Sequence, residues 1–346
     1  MFLAAALSYL EAQTPTHFIA NLEAGKPQTL VAFGTSLTAG GAWVGLVDAY
    51  LKERYPGLAT VKNEGASGHS SKYGLQIIHN VTRHKPDLVL IEFAMNDAYY
   101  PERDGYTEGV TVEGSKANLG IIIDSVRAVN PACEILLQTM DIPLGIHRAR
   151  RPKVEAYYQG YREVAQARGL ALVDHQARWE AVLAFDSSFY VSWLPDSIHP
   201  AAAASAAITL PAVLGALTGN AVTLQSPSAG DRFTVGKDIP LTAVSAAQAA
   251  PAAGFRMDFF QVKTKVGSSP AAPFNYAWKG AAAGKYLVMA KLMRGETAVA
   301  ISELRRIEVS VSTATMARRL GNPKVTLGPG PRPPGFWLGR KCAACR

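Results

Sequence analysis

The chain has little cysteine. Three in 346 residues, Cys133, Cys342 and Cys345, make neither a disulfide framework nor a structural zinc site. Cys133 precedes an apolar run and reads as a buried small hydrophobe. Cys342 and Cys345 form a single C-x-x-C in a Pro/Gly-rich tail, with no second pair and no histidine nearby, so an exposed pair is expected. No apolar run reaches the roughly 18 residues of a membrane-spanning helix, so no transmembrane segment is predicted. Charge is also sparse, with 18% charged residues beside 48% hydrophobic ones, which excludes disordered, collagen-like and coiled-coil chains. Met1–Leu10 (MFLAAALSYL) is apolar but lacks the positive n-region of a secretory signal, and Leu10 spoils a small-x-small cut at Ala12. A signal remnant and a first helix both remain open for this segment.

The net charge of +8 is unevenly spread. Residues 1–220 carry 17 Lys+Arg against 21 Asp+Glu, a net of −4; residues 221–346 carry 18 against 6, a net of +12. The last 34 residues hold 7 of those cations and no acid. A tail of this kind is either simply solvated or drawn to polyanions, cell walls and anionic headgroups. It contains no basic motif interleaved with aromatics, so nucleic acid is not an expected partner.

The length allows two domains at roughly 150 residues each. Through about residue 220, strand-like and helix-like patterns alternate. Thr29–Phe33, Leu58–Val61, Leu88–Phe93, Glu134–Thr139 and Leu170–Val173 are apolar runs suited to strands. Leu88–Phe93 (LVLIEF) is nearly continuous, as a strand covered on both faces should be. Between them, Trp43–Tyr55 spaces its apolar residues along one helical face. Ser115–Val129 stops before Asn130-Pro131, and Pro152–Arg168 opens on proline and closes before Gly169. This alternation predicts an α/β fold: a parallel five-stranded sheet flanked by helices in three layers. Ligands of such sheets bind beyond the carboxyl ends of the strands, so a site should be sought just after them.

After Asn220 the helical period gives way to short alternating runs: Val222–Gln225, Ile239–Val244, Phe255–Val262, Phe274–Trp278, Lys285–Leu292 and Ile301–Val311. Phe255, Met257 and Phe259 alternate with Arg256 and Asp258, predicting a half-buried strand. A small all-β sandwich is expected here. The stretches LQSPSAGDRFTVGKDIPLTAV and FRMDFFQVKTKVGSSPAAPFNYAWKGAAAGKYLVMAKL resemble bacterial Ig-like domains appended to secreted enzymes. That resemblance implies a spacer or a weak contact with polysaccharide or a surface, and a secreted or periplasmic protein. The incomplete signal keeps a cytoplasmic one as the alternative. The expected divisions are an N-terminal segment 1–27, a catalytic domain 28–218, an Ig-like sandwich 221–312 and a disordered basic tail 313–346.

Four stretches carry candidate chemistry. Gly34-Thr35-Ser36-Leu37 follows the first strand, where a serine can hold its hydroxyl above the sheet edge. Asp196-Ser197-Ile198-His199-Pro200 supplies an imidazole base and an anion to orient it, and Pro200 keeps His199 out of helical conformation. Gly68 follows the second strand and Asn96 the LVLIEF strand; a glycine N–H and an asparagine amide are suitable donors for a developing oxyanion. Each alone is an ordinary turn or capping residue. Their order and their places after parallel strands are what count.

Taken together, Ser36, Gly68, Asn96 and the Asp196–His199 pair resemble the blocks of the SGNH/GDSL hydrolase family, over most of residues 28–205. The resemblance implies an SGNH, flavodoxin-like three-layer fold and a serine esterase. In it Ser36 is the nucleophile, His199 the base and Asp196 the acid behind it. The N–H groups of Ser36 and Gly68 and the amide of Asn96 form the oxyanion hole. Neither metal nor cofactor is implied; Glu92, Asp97, His79 and His84 show no ligand spacing. Two departures stand out. Thr35 replaces the family's aspartate beside the nucleophile, and Ala94 replaces the glycine two residues before Asn96.

Other residues near the strand ends admit two readings. His69 lines the pocket or the surface. His147, with Arg148, Arg150 and Arg151, binds an anionic or sugar substrate or forms a solvated basic loop. Tyr99, Tyr100 and Trp193 wall the substrate or simply pack. The expected activity is hydrolysis of short acyl esters, with acetate on carbohydrate favoured. A broad arylesterase or lipase-like enzyme on small esters is the alternative. A carbohydrate- or surface-binding protein with a vestigial esterase domain is the reading from another class, and the intact residue set argues against it.

Overall fold

The computed structural model describes residues 16–99, 109–245 and 254–312. The Met1–Leu10 segment, Tyr100, and the tail 313–346 with Cys342 and Cys345 lie outside the described residues.

Five strands form a parallel sheet: β1 Gln28–Gly34, β2 Ala59–Asn63, β3 Leu88–Glu92, β4 Glu134–Gln138 and β5 Ala171–Val173, in the order β2-β1-β3-β4-β5. The fold class is therefore α/β with a five-stranded parallel sheet, as expected. β3 is buried along its whole length, which is why its sequence is a run and not an alternation. Crossover helices flank the sheet. In Val112–Val129 the residues Leu119, Ile122, Ile123 and Val126 form one buried stripe, and Thr111 caps the first turn by accepting the Gly114 N–H at 3.0 Å. That cap starts the helix three residues before the expected Ser115. Val154–Arg168 begins after Lys153, and Gly169 ends it with a φ of +61°, a conformation glycine adopts without strain. A further helix, Thr16–Glu23, buries Phe18 and Leu22; the Glu134 carboxylate accepts the N–H groups of His17 and Phe18 at 3.0 and 2.7 Å.

Among the described residues the β region holds nine strands: β6 Val222–Ser226, β7 Arg232–Thr234, β8 Ile239–Ser245, β9 Phe255–Gln261, β10 Thr264–Ser269, β11 Phe274–Trp278, β12 Gly284–Arg294, β13 Thr297–Ile301 and β14 Arg305–Ser310. One sheet runs β10-β9-β12-β14-β7, with β13 also on β12; the other is β11-β8-β6. The run expected as one strand, Ile301–Val311, is split. β14 pairs with Gly284–Val288 and β13 with Lys291–Arg294, two segments placed in turn along β12. Ser302 makes the break: its Oγ accepts the Ala290 N–H at 3.0 Å and donates to Glu303 O at 2.6 Å. β9 is more than half-buried. Asp258 is only 2% exposed, because Ser268, Lys265 and Arg256 satisfy its carboxylate at 2.7, 3.0 and 3.1 Å.

The described residues up to Ser310 form one compact unit. Gly215, in the helix Leu210–Thr218, faces Ala300 so closely that an added Cβ would stand 3.1 Å from the alanine Cβ. Arg178 donates to the carbonyls of Asp174, Ser302 and Ile301 at 3.1, 3.2 and 3.3 Å, tying the end of β5 to β13. No helix among the described residues is long and apolar enough to cross a membrane.

Candidate active site

β1 ends at Gly34, Thr35 turns the chain, and Ser36 opens the short helix Ser36–Ala39. Thr35 caps that helix by accepting the Leu37 N–H at 3.2 Å. The carboxylate of Glu92, at the end of β3, completes the loop. It accepts the Thr35 N–H at 2.7 Å, the Thr35 hydroxyl at 3.0 Å and the Thr38 hydroxyl at 2.7 Å. Beside Ser36, where the resemblance expects an aspartate, a carboxylate from the neighbouring strand thus meets the turn. Gly34 makes the arrangement sterically feasible, since a Cβ there would lie 2.4 Å from both Glu92 O and Oε1. Burial pushes the Glu92 carboxyl up to about 7 against the downward pull of the Thr38 and Thr35 hydrogen bonds.

The loop after β2 is pressed onto the same turn. Asn63 Nδ2 donates to Thr38 O at 2.9 Å, Ala66 N–H donates to Gly34 O at 2.7 Å, and a Cβ on Gly65 would strike Ala39 N at 2.4 Å. Gly68 turns with a φ of +80°. Asn96 is 5% exposed, and both ends of its amide are engaged: Nδ2 donates to His69 O at 3.1 Å and Oδ1 accepts from Arg151 at 2.9 Å. Asp97 accepts the Ser71 N–H at 2.7 Å and the Ser115 hydroxyl at 2.5 Å, locking this loop to the helix Val112–Val129.

The third loop closes over these. Asp196 Oδ1 accepts the N–H groups of His199 and Ile198 at 2.8 and 3.2 Å, with Ser197 held at a φ of +71° between them. Asp196 Oδ2 lies 2.6 Å from His199 Nδ1, and His199 Nε2 lies 2.8 Å from Ser36 Oγ. With the proton on Nδ1 directed at the carboxylate, the Nε2 lone pair faces the hydroxyl. Partial burial pushes the Asp196 carboxyl upward, but the hydrogen bonds from His199 and Ile198 outweigh it and hold the group below the usual range. The loop is anchored by Leu144 N–H donating to Ser197 O at 2.9 Å. Ser36 and His199 open onto a cavity of about 390 Å³ walled by Leu37, Trp43, Met140 and Pro200, with Ser67, Ser205 and Thr209 as polar lining.

The remaining expected residues sort themselves by burial. Trp193 is 2% exposed and packs edge-to-face on Trp179, which agrees with the packing alternative. Tyr99 lies beneath the guanidinium of Arg151, 5.0 Å from ring centroid to cation. His69 stacks on Tyr73. His147 sits on the turn Gly145–Ala149, its pKa lowered by burial and then by Arg151. The basic loop is not wholly solvated: Arg151 is 5% exposed. Sequence reasoning named Arg151 only as one of a basic group and Glu92 only as no metal ligand, and missed the bonds each makes. A carboxylate inside LVLIEF was a signal, since such a group needs partners; nothing distinguished Arg151 from its neighbours.

A family model described as GDSL-like Lipase/Acylhydrolase matches residues 32–207. Among solved structures, the chain is similar to an acetylxylan esterase from Geobacillus stearothermophilus, at 23% identity over 56% of this chain and 95% of that one, with a TM-score of 0.48. It is also similar to an α/β hydrolase enzyme from the metagenome of Lake Arreo, Spain, at 24% identity over 56% and 96%, with a TM-score of 0.47. Fibronectin(III)-like modules of Clostridium thermocellum CbhA match 27% of this chain and 98% of theirs, at 29% identity and a TM-score of 0.24. No curated protein matches. The family match spans the sheet from the end of β1 onward and all three loops around Ser36, and the chain belongs to the GDSL-like lipase/acylhydrolase family as a carboxylic ester hydrolase.

Proposed function

We propose that the enzyme hydrolyses short acyl esters through an acyl-enzyme on Ser36. The observation that carries this reading is the unbroken chain from Asp196 to His199 to Ser36, at 2.6 and 2.8 Å. Ser36 Oγ attacks the ester carbonyl as His199 Nε2 takes its proton, and Asp196 stabilises the imidazolium that forms. The Ser36 and Gly68 N–H groups and the Asn96 amide hold the tetrahedral oxyanion. His199 then protonates the leaving alkoxide, and water activated by the same imidazole releases the acid.

A cavity of about 390 Å³ shared with a leaving group favours a short acyl chain. The β region, read as an Ig-like module over residues 221–312, suits acetate on carbohydrate, with that module contacting the polysaccharide or a surface. The apolar walls Leu37, Trp43 and Met140 favour small aryl esters as a second reading. Ser36→Ala should lower kcat on p-nitrophenyl acetate by about 10⁴-fold or more with the fold unchanged. Equal turnover by variant and parent would remove Ser36 from the mechanism. An acyl-length series set beside acetylated xylan separates the two substrate readings.

A further inference from the structure

We infer that Arg151 is a positioning residue for Asn96: it fixes which end of the amide meets the reacting carbonyl oxygen and strengthens that end as a donor. The inference rests on the reading of Asn96 as an oxyanion donor.

A primary amide has two ends of nearly equal size and opposite polarity. Turned the wrong way, Asn96 would aim carbonyl lone pairs at the growing negative charge and oppose the reaction. Two partners prevent this. Arg151 Nη2, at 2.9 Å, can only donate, so it accepts only the Oδ1 end as neighbour. His69 O, at 3.1 Å, can only accept, so it takes an N–H of Nδ2 and leaves the second N–H for substrate.

The guanidinium is itself held. Its Nε donates to Met95 O at 2.8 Å, Nη1 donates to His147 O at 3.4 Å, and its face lies 5.0 Å from the centroid of Tyr99. At 5% exposure it is shielded from solvent and cannot give up its proton. A charged donor on Oδ1 draws electron density from the amide, and the N–H at the other end becomes more acidic. When the oxyanion forms, a fixed positive charge already stands one amide away, at no cost of reorganisation. The same loop also reaches the base, since Leu144 N–H donates to Ser197 O. Residues 144–151 thus brace both sides of the reacting carbonyl. A lysine keeps the charge but not the fork that bonds Met95 and Asn96 together.

The test is a double-variant cycle in the full chain: Arg151→Met, Arg151→Lys, Asn96→Ala and Asn96→Ala/Arg151→Met, with kcat, KM and melting temperature for each. Loss of one oxyanion donor costs about 10²- to 10³-fold in kcat, so Asn96→Ala should fall in that range. Arg151→Met should lower kcat about 10- to 10²-fold with KM within about threefold, as expected of a contact felt in the transition state. Arg151→Lys should recover part of the loss. With Asn96 already removed, Arg151→Met should cost less than about twofold more, because there is no amide left to orient. Losses that multiply in the double variant, or a lowered melting temperature with kcat intact, would overturn the inference. If the methionine variant does not fold, the lysine variant in the same cycle decides by the same criterion. Asn96→Ala at full kcat removes the donor and the inference together. Ser36→Ala at full turnover is the separate failure of the acyl-enzyme reading.

Discussion

The Ser36 loop and the Asp196–His199 loop are built in opposite surroundings. Thr35 and Glu92 are 0% and 1% exposed and bonded to each other, whereas the Asp196 and His199 side chains keep 52% and 42% of their surface. The difference fits the roles proposed for the two loops. A nucleophile's loop has to hold its hydroxyl and N–H groups still, and burial with polar groups paired, as around Thr35 and Glu92, gives rigidity. A general base, as proposed for His199, has to accept and release a proton and let substrate and water pass, and burial would penalise its charged form. Asp196 compensates for its exposure with local bonds, three of them to residues no more than three positions away.

The sharpest way to break this contrast is Asp196→Asn. The amide cannot stabilise an imidazolium and favours the wrong tautomer, so kcat should fall by about 10³- to 10⁴-fold. The melting temperature should stay near that of the parent, because a half-exposed side chain contributes little to the core. A loss below about tenfold would mean that solvent can replace this carboxylate.

Glu92 should behave in the reverse manner, with stability responding more than chemistry. Glu92→Ala takes the carboxylate acceptor from the Thr35 and Thr38 hydroxyls in a dry site, leaves the Thr35 N–H only Glu92 O at 3.2 Å, and should destabilise the fold by about 2–4 kcal/mol. Glu92→Gln keeps an acceptor for those donors. It should also change the pH dependence in a defined direction. The native carboxyl titrates near 7, above its ordinary 4.5, so between these values the native state binds the proton more tightly than the unfolded chain. Stability from this group is full below about 4.5 and is lost as pH rises through about 7. The melting temperature of the parent should therefore decline relative to Glu92→Gln over that window. Parallel curves from pH 4.5 to 8 would remove Glu92 as the titrating group.

The contrast also explains what could be read from the sequence. Strands and long helices of the parallel sheet were legible because their burial imposes runs and stripes, as in LVLIEF and Leu119–Val126. Ser36, Asp196 and His199 were singled out because the proposed chemistry restricts the residue type at each, and the fold brings the three within hydrogen-bonding distance. Partners chosen for shape were not. Arg151 sits among other cations, and only the closed loop shows that it alone is buried. Thr35 looked like a loss until the fold brought Glu92 beneath it. In the β region, the polar pair Ser302-Glu303 between Ile301 and Leu304 interrupts the period of two, but one such pair does not distinguish a strand end from a bulge.

The smallest expected effect concerns the reach of the β region toward the base. The turn between β9 and β10 sets Lys263 Nζ 4.8 Å from the Phe189 ring centroid and 5.5 Å from that of Trp193, three residues before Asp196. An exposed cation–π contact of this kind contributes about 0.5–1 kcal/mol. Lys263→Gln should therefore lower the melting temperature by only about 1–3 °C, since 1 kcal/mol shifts a chain of this size by about that much. Its kcat should stay within about twofold of the parent. The acid–base loop takes its geometry from its own backbone and from the Leu144–Ser197 bond, not from the ring of Trp193. A tenfold fall in kcat at unchanged melting temperature would show the opposite: the exposed half of the site would then be held from outside, by the β region, and the compensation assigned to local bonds at Asp196 would be insufficient.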